Sequence, residues 1–240
     1  MKLLSELPPK IDNSVVSIGV FDGVHLGHQF LFNRLRKAAS EQARSSVIIT
    51  FKNHPMSVIN QKFQPKFLMS LSERLKNLSS TGVDSVIPIT FNNELAKLSA
   101  KEFLSILKDK INLSQIVAGP DFALGRNREG NIEKLTLLGR ELGFSVEVVP
   151  VYSFSEGEMP VRSSEARKEL SKGNIKSLNA MLGRRFRLSG AVGSGNHMGT
   201  ELGFPTANIS VDLNLAIPPD GIYATWVTID NEPANQRWMG

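Results

Sequence analysis

The sequence predicts an α/β protein built on a doubly wound parallel sheet, followed by a shorter all-β unit. Short, β-branched, mostly apolar runs alternate with amphipathic stretches, as in strands buried on both faces of a parallel sheet. The amphipathic stretches carry helix-start and helix-stop residues. After about Gly183 the helical pattern ceases, and strand-like runs are separated by glycine- and proline-rich turns. The expected division is therefore residues 1–182 and residues 183–240.

Strands are expected at Val15–Val20, Val47–Phe51, Ser85–Ile89, Gln115–Ala118 and Ser145–Val149. Helices are expected near Gly27–Ala39, Ser70–Ser80, Ser99–Asp109 and Asn131–Leu142. Ser70-x-x-Glu73 and Ser99-x-x-Glu102 read as capping boxes, and Gly82 and Gly143 as helix-closing glycines. Strand–helix alternation implies right-handed crossovers, and such sheets bind ligands at the carboxyl ends of their strands. In the second unit, strands are expected at Arg184–Gly193, Asn208–Val211 and Ile222–Ile229. The turns lie at Gly193-Ser194-Gly195-Asn196 and Pro218-Pro219-Asp220-Gly221. At about 58 residues this unit is small for an independent barrel.

Composition narrows the function. The 240 residues are 41% hydrophobic and 21% charged, which excludes disorder and low complexity. Twenty-eight basic against 23 acidic residues leave a net charge of +5, without the long Lys/Arg blocks of a nucleic-acid binder. The absence of cysteine removes disulfide scaffolds, thiolate catalysis and cysteine-based zinc sites. Pro8-Pro9 interrupts the N-terminus before any signal-like apolar run, and no run approaches a membrane span. A cytoplasmic protein without membrane partners is expected.

The first strand runs into Phe21-Asp22-Gly23-Val24-His25-Leu26-Gly27-His28, after which a helix begins. Strand, loop, helix is the arrangement in which helix-terminal amides and the positive end of the macrodipole face an anion. His25 and His28, three apart, can share the side facing that anion, while Gly27 leaves room for a sugar or base against the backbone. This suits displacement at a nucleotide α-phosphate, which needs alignment and charge stabilisation rather than a protein nucleophile. Two histidines alone also fit a metal site or surface capping, but no third ligand and no His-Glu-x-x-His run lies nearby.

The string Gly19-x-Phe21-Asp22-Gly23-x-His25-x-Gly27-His28 resembles the signature of the His-x-Gly-His nucleotidyltransferases, and in its fuller form the FMN adenylyltransferase module of prokaryotic bifunctional FAD synthetases. Thr50-Phe51-Lys52-Asn53-His54-Pro55 is similar to that family's Thr-Phe-x-x-His-Pro. Gly119-Pro120-Asp121-Phe122-Ala123-Leu124-Gly125 is similar to its Gly-x-Asp-Phe-x-Phe-Gly, with Leu124 for the second Phe. Val161-Arg162-Ser163-Ser164-Glu165-Ala166-Arg167 resembles Ser-Ser-Thr-x-Ile-Arg, with departures at Arg162, Ser164 and Ala166. The resemblance implies a Rossmann-like sheet, with FMN and ATP as substrates, FAD as product and Mg²⁺ as the ion. It implies that His25, His28 and Arg167 are catalytic. Gly19, Phe21, Asp22, Gly23, Gly27, Ser163 and Ser164 would bind ATP phosphates, and Phe51, His54, Asp121 and Phe122 the flavin. Read without the resemblance, Asp121 is equally a turn former, His54-Pro55 an exposed turn, and one of Ser163 and Ser164 a helix cap.

Gly203-Phe204-Pro205-Thr206-Ala207-Asn208, with the glycines from Gly190 to Gly199 before it, resembles the riboflavin kinase half of the same enzymes. There Thr206 and Asn208 would hold Mg²⁺ and ATP phosphates, and oxygen ligands suit magnesium. The usual Arg is Thr200 here, and Pro219-Asp220-Gly221-Ile222-Tyr223 fits the family's next strand. A glycine-rich β-hairpin is the plain alternative. The chain ends before the family's Asn-Ile-Gly strand and the later glutamate base, so a partial barrel and absent or impaired riboflavin kinase activity are expected. Two other functions fit: nucleotidyl transfer to another phosphorylated acceptor, or flavin binding without catalysis.

Overall fold

The computed structural model describes residues 5–8, 11, 13–60, 62–155, 160–193, 203, 206–229 and 238–239. At its centre is a five-stranded, all-parallel sheet of β1 (Ser14–Gly19), β2 (Ser45–Phe51), β3 (Ser85–Ile89), β4 (Leu113–Ala118) and β7 (Ser145–Val148). The spatial order is β3-β2-β1-β4-β7, the order of a doubly wound sheet in which the chain reverses direction beside β1. Successive side chains of one strand enter opposite cores. Val16 and Ile18 of β1 join one apolar cluster, together with Val47, Ile49 and Ile116. Val15 joins the other, with Ile48 and Val117. Strands buried on both faces have no polar side to give, which explains their continuous apolar runs.

Helix α1 (Leu26–Glu41) and α3 (Leu71–Ser79) cover the second cluster through Phe32, Leu35 and Leu78. The other face is covered by α5 (Ala100–Ile111) and α6 (Ile132–Leu142), through Phe103, Leu104, Leu107, Leu135 and Leu138. Both expected capping boxes form, at Ser70/Glu73 and Ser99/Glu102. Gly143 closes α6 in the left-handed region at φ 74°, whereas Gly82 lies two residues beyond the Ser80 cap of α3.

Several elements differ from expectation. Pro55–Ile59 is a one-turn helix, α2, rather than an exposed turn. His54 is extended, as a residue before proline must be, but its Nδ1 accepts from the Met56 amide at 3.1 Å and caps the helix with Pro55 at its first position. The short helix α4 (Asn93–Lys97) opens on an Asn92 cap. A two-residue ribbon pairs β5 (Ala123–Leu124) with β6 (Gly130–Asn131). Two further helices, α7 (Ser163–Ser171) and α8 (Ile175–Leu182), form a third cluster around Leu68, Val161, Leu170 and Leu178.

In the C-terminal part, β8 (Gly190–Gly193) pairs antiparallel with β9 (Asn208–Val211), and β10 (Trp226–Val227) with β11 (Trp238–Met239). The strand expected from Arg184 starts only at Gly190. Arg184 turns back to donate to the Gly23, Val24 and Leu182 carbonyls, and the Phe186 amide is taken by the Asn179 side chain. The strand expected over Ile222–Ile229 is reduced to Trp226–Val227, because the Tyr223 hydroxyl folds back onto the Pro219 carbonyl at 2.8 Å. Ser194–Asn196, Gly199–Leu202, Phe204-Pro205 and most of the segment after Ile229 lie outside the described residues.

The two parts are joined by a strap. Phe67 and Leu215 form a parallel bridge in which the Phe67 amide donates to Asn214 and the Ala216 amide to Phe67. Leu215 is buried there, and Lys66 adds a bond to the Leu213 carbonyl. Among the described residues no helix is long and apolar enough to cross a membrane.

Candidate active site

The loop between β1 and α1 lies at the carboxyl edge of the sheet. Its shape comes from unusual backbone angles. Phe21 takes φ 54°, and its ring is held edge-on between Phe32 (4.9 Å) and His28 (5.2 Å). Gly23 takes φ 80°, where a side chain would also meet Leu68 at 2.8 Å. Gly19 ends β1, and a Cβ there would meet the Phe21 ring at 2.9 Å. Gly27 faces protein rather than open space. A Cβ on it would lie 2.7 Å from the Val161 carbonyl, so its bareness lets the segment leading into α7 approach the histidine loop.

His25 is 4% exposed and caps α1, its Nδ1 accepting from the His28 amide at 3.3 Å. With Nδ1 an acceptor, the proton of the neutral ring resides on Nε2, which is left as a donor. The His25 and His28 rings stack with centroids 3.6 Å apart and 19° between planes. His28 Nδ1 is buried and has no hydrogen bond among the described residues. Burial lowers both imidazoles. His25 falls to about 4, helped by the nearby Arg184 and Arg167 charges, and His28 falls well below its ordinary value, helped by His25. Both rings are therefore neutral at pH 7.

Asp22 is buried in the same loop. Its carboxylate accepts from the Leu68 amide at 3.0 and 3.1 Å and from Arg167 Nη1 at 2.7 Å. Burial pushes the carboxyl above its ordinary value, against the Leu68 bond and the Arg167 and Arg74 charges, which favour the ionised form. Asp22 is thus a partner of Arg167. Neither serine supplies the expected helix cap. Arg162 occupies the cap position of α7 without a side-chain capping bond. Ser163, one residue later, instead donates to the Asp22 carbonyl at 2.9 Å, and Ser164 is exposed.

Of the expected flavin residues, His54 lines a cavity of about 420 Å³ with Lys52, Asn53, Phe67, Ser70 and Arg74. Burial and the Arg167 and Arg74 charges lower its pKa. Phe51 is half-buried edge-on to Phe91 at 5.5 Å, and Phe122 packs on the first core cluster, so both rings contribute to the core. Asp121 is exposed and ion-paired to Arg162 at 2.7 Å, which links the loop after β4 to the start of α7. Thr206 and Asn208 are exposed, with Asn208 at the start of β9.

Sequence reading missed Arg74, Phe67 and Leu68. Arg74 had a signal: it stands one turn before Leu78, at a position where the helical period calls for an apolar residue. Phe67 and Leu68 had none, because their place depends on the distant Leu215 strap.

The family model described as FAD synthetase matches residues 7–165, and that described as riboflavin kinase matches residues 182–239. A bifunctional riboflavin kinase/FMN adenylyltransferase of Buchnera aphidicola is 37% identical over 88% of this chain and 67% of the relative. Proteins of the same name from Bacillus subtilis and Escherichia coli K12 are 30% and 32% identical, covering 92% and 93% of this chain and 70% of each relative. A solved structure described as a macrolide-efflux protein from Streptococcus pneumoniae aligns with a TM-score of 0.85 at 28% identity, over all of this chain and 76% of the other. With two family models matching in order, and relatives of one name sharing up to 37% identity, the chain belongs to the bifunctional riboflavin kinase/FMN adenylyltransferase family.

Proposed function

We propose that this chain transfers AMP from ATP to FMN, giving FAD and pyrophosphate, with residues 1–182 as the adenylyltransferase unit. An oxygen of the FMN phosphate attacks the ATP α-phosphorus, and the bond from that phosphorus to the bridging oxygen breaks as pyrophosphate leaves. The FMN phosphate is already ionised, so no general base is required. The observation that carries this reading is the stacked His25–His28 pair at the opening of α1, backed by Arg167. Neutral His25 offers its Nε2–H to an oxygen on which charge develops, in a setting where burial strengthens the bond. Arg167 exchanges part of its contact with Asp22 for the anionic phosphates, to which its planar donors are suited.

Magnesium fits through its preference for phosphate and water oxygens over an all-protein cage. Bound with the nucleotide, it would neutralise phosphate charge. In the kinase-like unit, the exposed Thr206 hydroxyl and Asn208 amide oxygen are the ligands it would take. Mixing the chain with FMN, ATP and Mg²⁺ tests the reading. Pyrophosphate release that depends on FMN supports it; release with a different phosphorylated acceptor, or FMN binding without release, overturns it.

We further propose that residues 183–240 form a kinase-like unit whose phosphorylation of riboflavin is absent or slow in this chain. Among the described residues, Val192, Ile209 and Trp226 of its ribbons are exposed, as are Thr206 and Asn208. Rapid FMN formation from riboflavin, ATP and Mg²⁺ would refute this.

A further inference from the structure

Arg74 is a charged residue in a core position. It is 1% exposed and shares a helix face with fully buried Leu78. A buried guanidinium is costly unless its charge and its five N–H donors are matched. Here the matching is partial. Nη2 donates to the Phe51 carbonyl at 2.7 Å and the Lys52 carbonyl at 3.3 Å, and the group lies over the Phe67 ring at 5.3 Å. Nε and Nη1 are buried and have no hydrogen-bond partner among the described residues.

The charge is matched no better. Asp22 is the acid whose field Arg74 feels, but its oxygens are engaged by Leu68 and Arg167. Asp212, on the wall of the same cavity, accepts from the amide and side chain of Asn214. Among the described residues no carboxylate forms an ion pair with Arg74. The side chain borders the cavity of about 420 Å³, beside Lys52, Asn53, His54 and Ser70. That volume falls within the range of roughly 300–1,000 Å³ typical of small-molecule sites.

We propose that this cavity binds the phosphate of a phosphorylated ligand, held by the unmatched donors and charge of Arg74. Arginine's planar fork matches phosphate, which would supply both the missing acceptors and the missing counter-charge. Lys52 and Asn53 also line the cavity, the Lys52 ammonium paired with Glu6 and the Asn53 amide bonded to the Phe91 backbone. The cavity adjoins the histidine loop, because Phe67 contributes to its wall and the next residue, Leu68, bonds Asp22. The choice of FMN and ATP as probes rests on the function proposed above.

The experiment is equilibrium binding to the whole chain, without turnover, in two pairs: FMN against riboflavin and ATP against adenosine. Arg74→Met keeps the bulk and removes the charge. It is expected to weaken FMN or ATP by about tenfold or more while leaving the neutral member of that pair within about twofold. Loss in the FMN pair assigns the phosphate to the flavin, and loss in the ATP pair assigns it to the nucleotide. If both phosphorylated ligands keep their affinity, or the neutral member falls equally, the proposal is overturned and Arg74 only braces the end of β2. If the variant fails to fold, the Arg74 Nε–H resonance of the unaltered chain decides: a saturable shift with inorganic phosphate supports the site, and no shift overturns it. Pyrophosphate release is measured separately, so loss of the adenylyl-transfer reading would leave this result standing.

Discussion

Substituting asparagine for His25 removes one titrating group while retaining a side chain suited to cap α1. In the folded protein His25 protonates near pH 4, because burial and the Arg184 and Arg167 charges oppose the imidazolium. In the unfolded chain it protonates near its ordinary 6.5. Between those values the unfolded chain holds more protons, so this contribution is complete above pH 6.5 and is lost as pH falls toward 4. The interval of about 2.5 pKa units, at 1.36 kcal/mol each, is worth about 3 kcal/mol. His28 acts in the same direction and Asp22, whose pKa is raised, in the opposite one. Both remain in the variant, so their effects largely cancel in the difference. The assay is urea unfolding of both chains at intervals from pH 7.5 to about pH 4, within the two-state regime. The stability of His25→Asn relative to the natural chain should rise by about 3 kcal/mol over that range. Parallel curves would refute the argument, and with it the claim that the ring is neutral and buried in the folded protein.

Three further outcomes follow from the geometry. His28→Ala should lower kcat by about 10²-fold or more while ATP binding changes only a few-fold, as for a group that acts on developing charge; equal losses in steady-state rate and in ATP titration would contradict that role. Gly27→Ala should cost about 1–3 kcal/mol in thermal or urea unfolding, since its Cβ would press on the Val161 carbonyl, a backbone atom at 2.7 Å. Arg162→Ser removes the Asp121 partner, but both side chains are largely exposed, so stability should change by less than about 1 kcal/mol, as calorimetry can check.

Much of the sheet could be read from the sequence because its signal is local. The central strands β1, β2 and β4 place apolar side chains on both faces, and Ser70 and Ser99 mark helix starts by chemistry completed within four residues. The stacked histidines were equally local, since a cap at His25 places the ring of the third residue on its own. Roles decided by distant partners were hidden. Gly27 is bare for the sake of Val161, Ser163 bonds Asp22 rather than capping its own helix, and Arg162 meets Asp121. The second unit was read least well. Its apolar runs predict long strands, but Arg184 and Tyr223 are drawn into non-local and turn contacts that leave the ladder short.

The strap between Phe67 and Leu215 has a consequence for biosynthesis. Chains fold from the N-terminus as they emerge from the ribosome. The strands from Ser14 to Val148 can pair before Leu215 is translated, but Phe67 must wait for it. The amide that steadies Asp22 belongs to the next residue. The loop between β1 and α1 would thus reach its final shape late in synthesis, and a nascent chain paused before Leu215 would contain every strand of the central sheet without that last support.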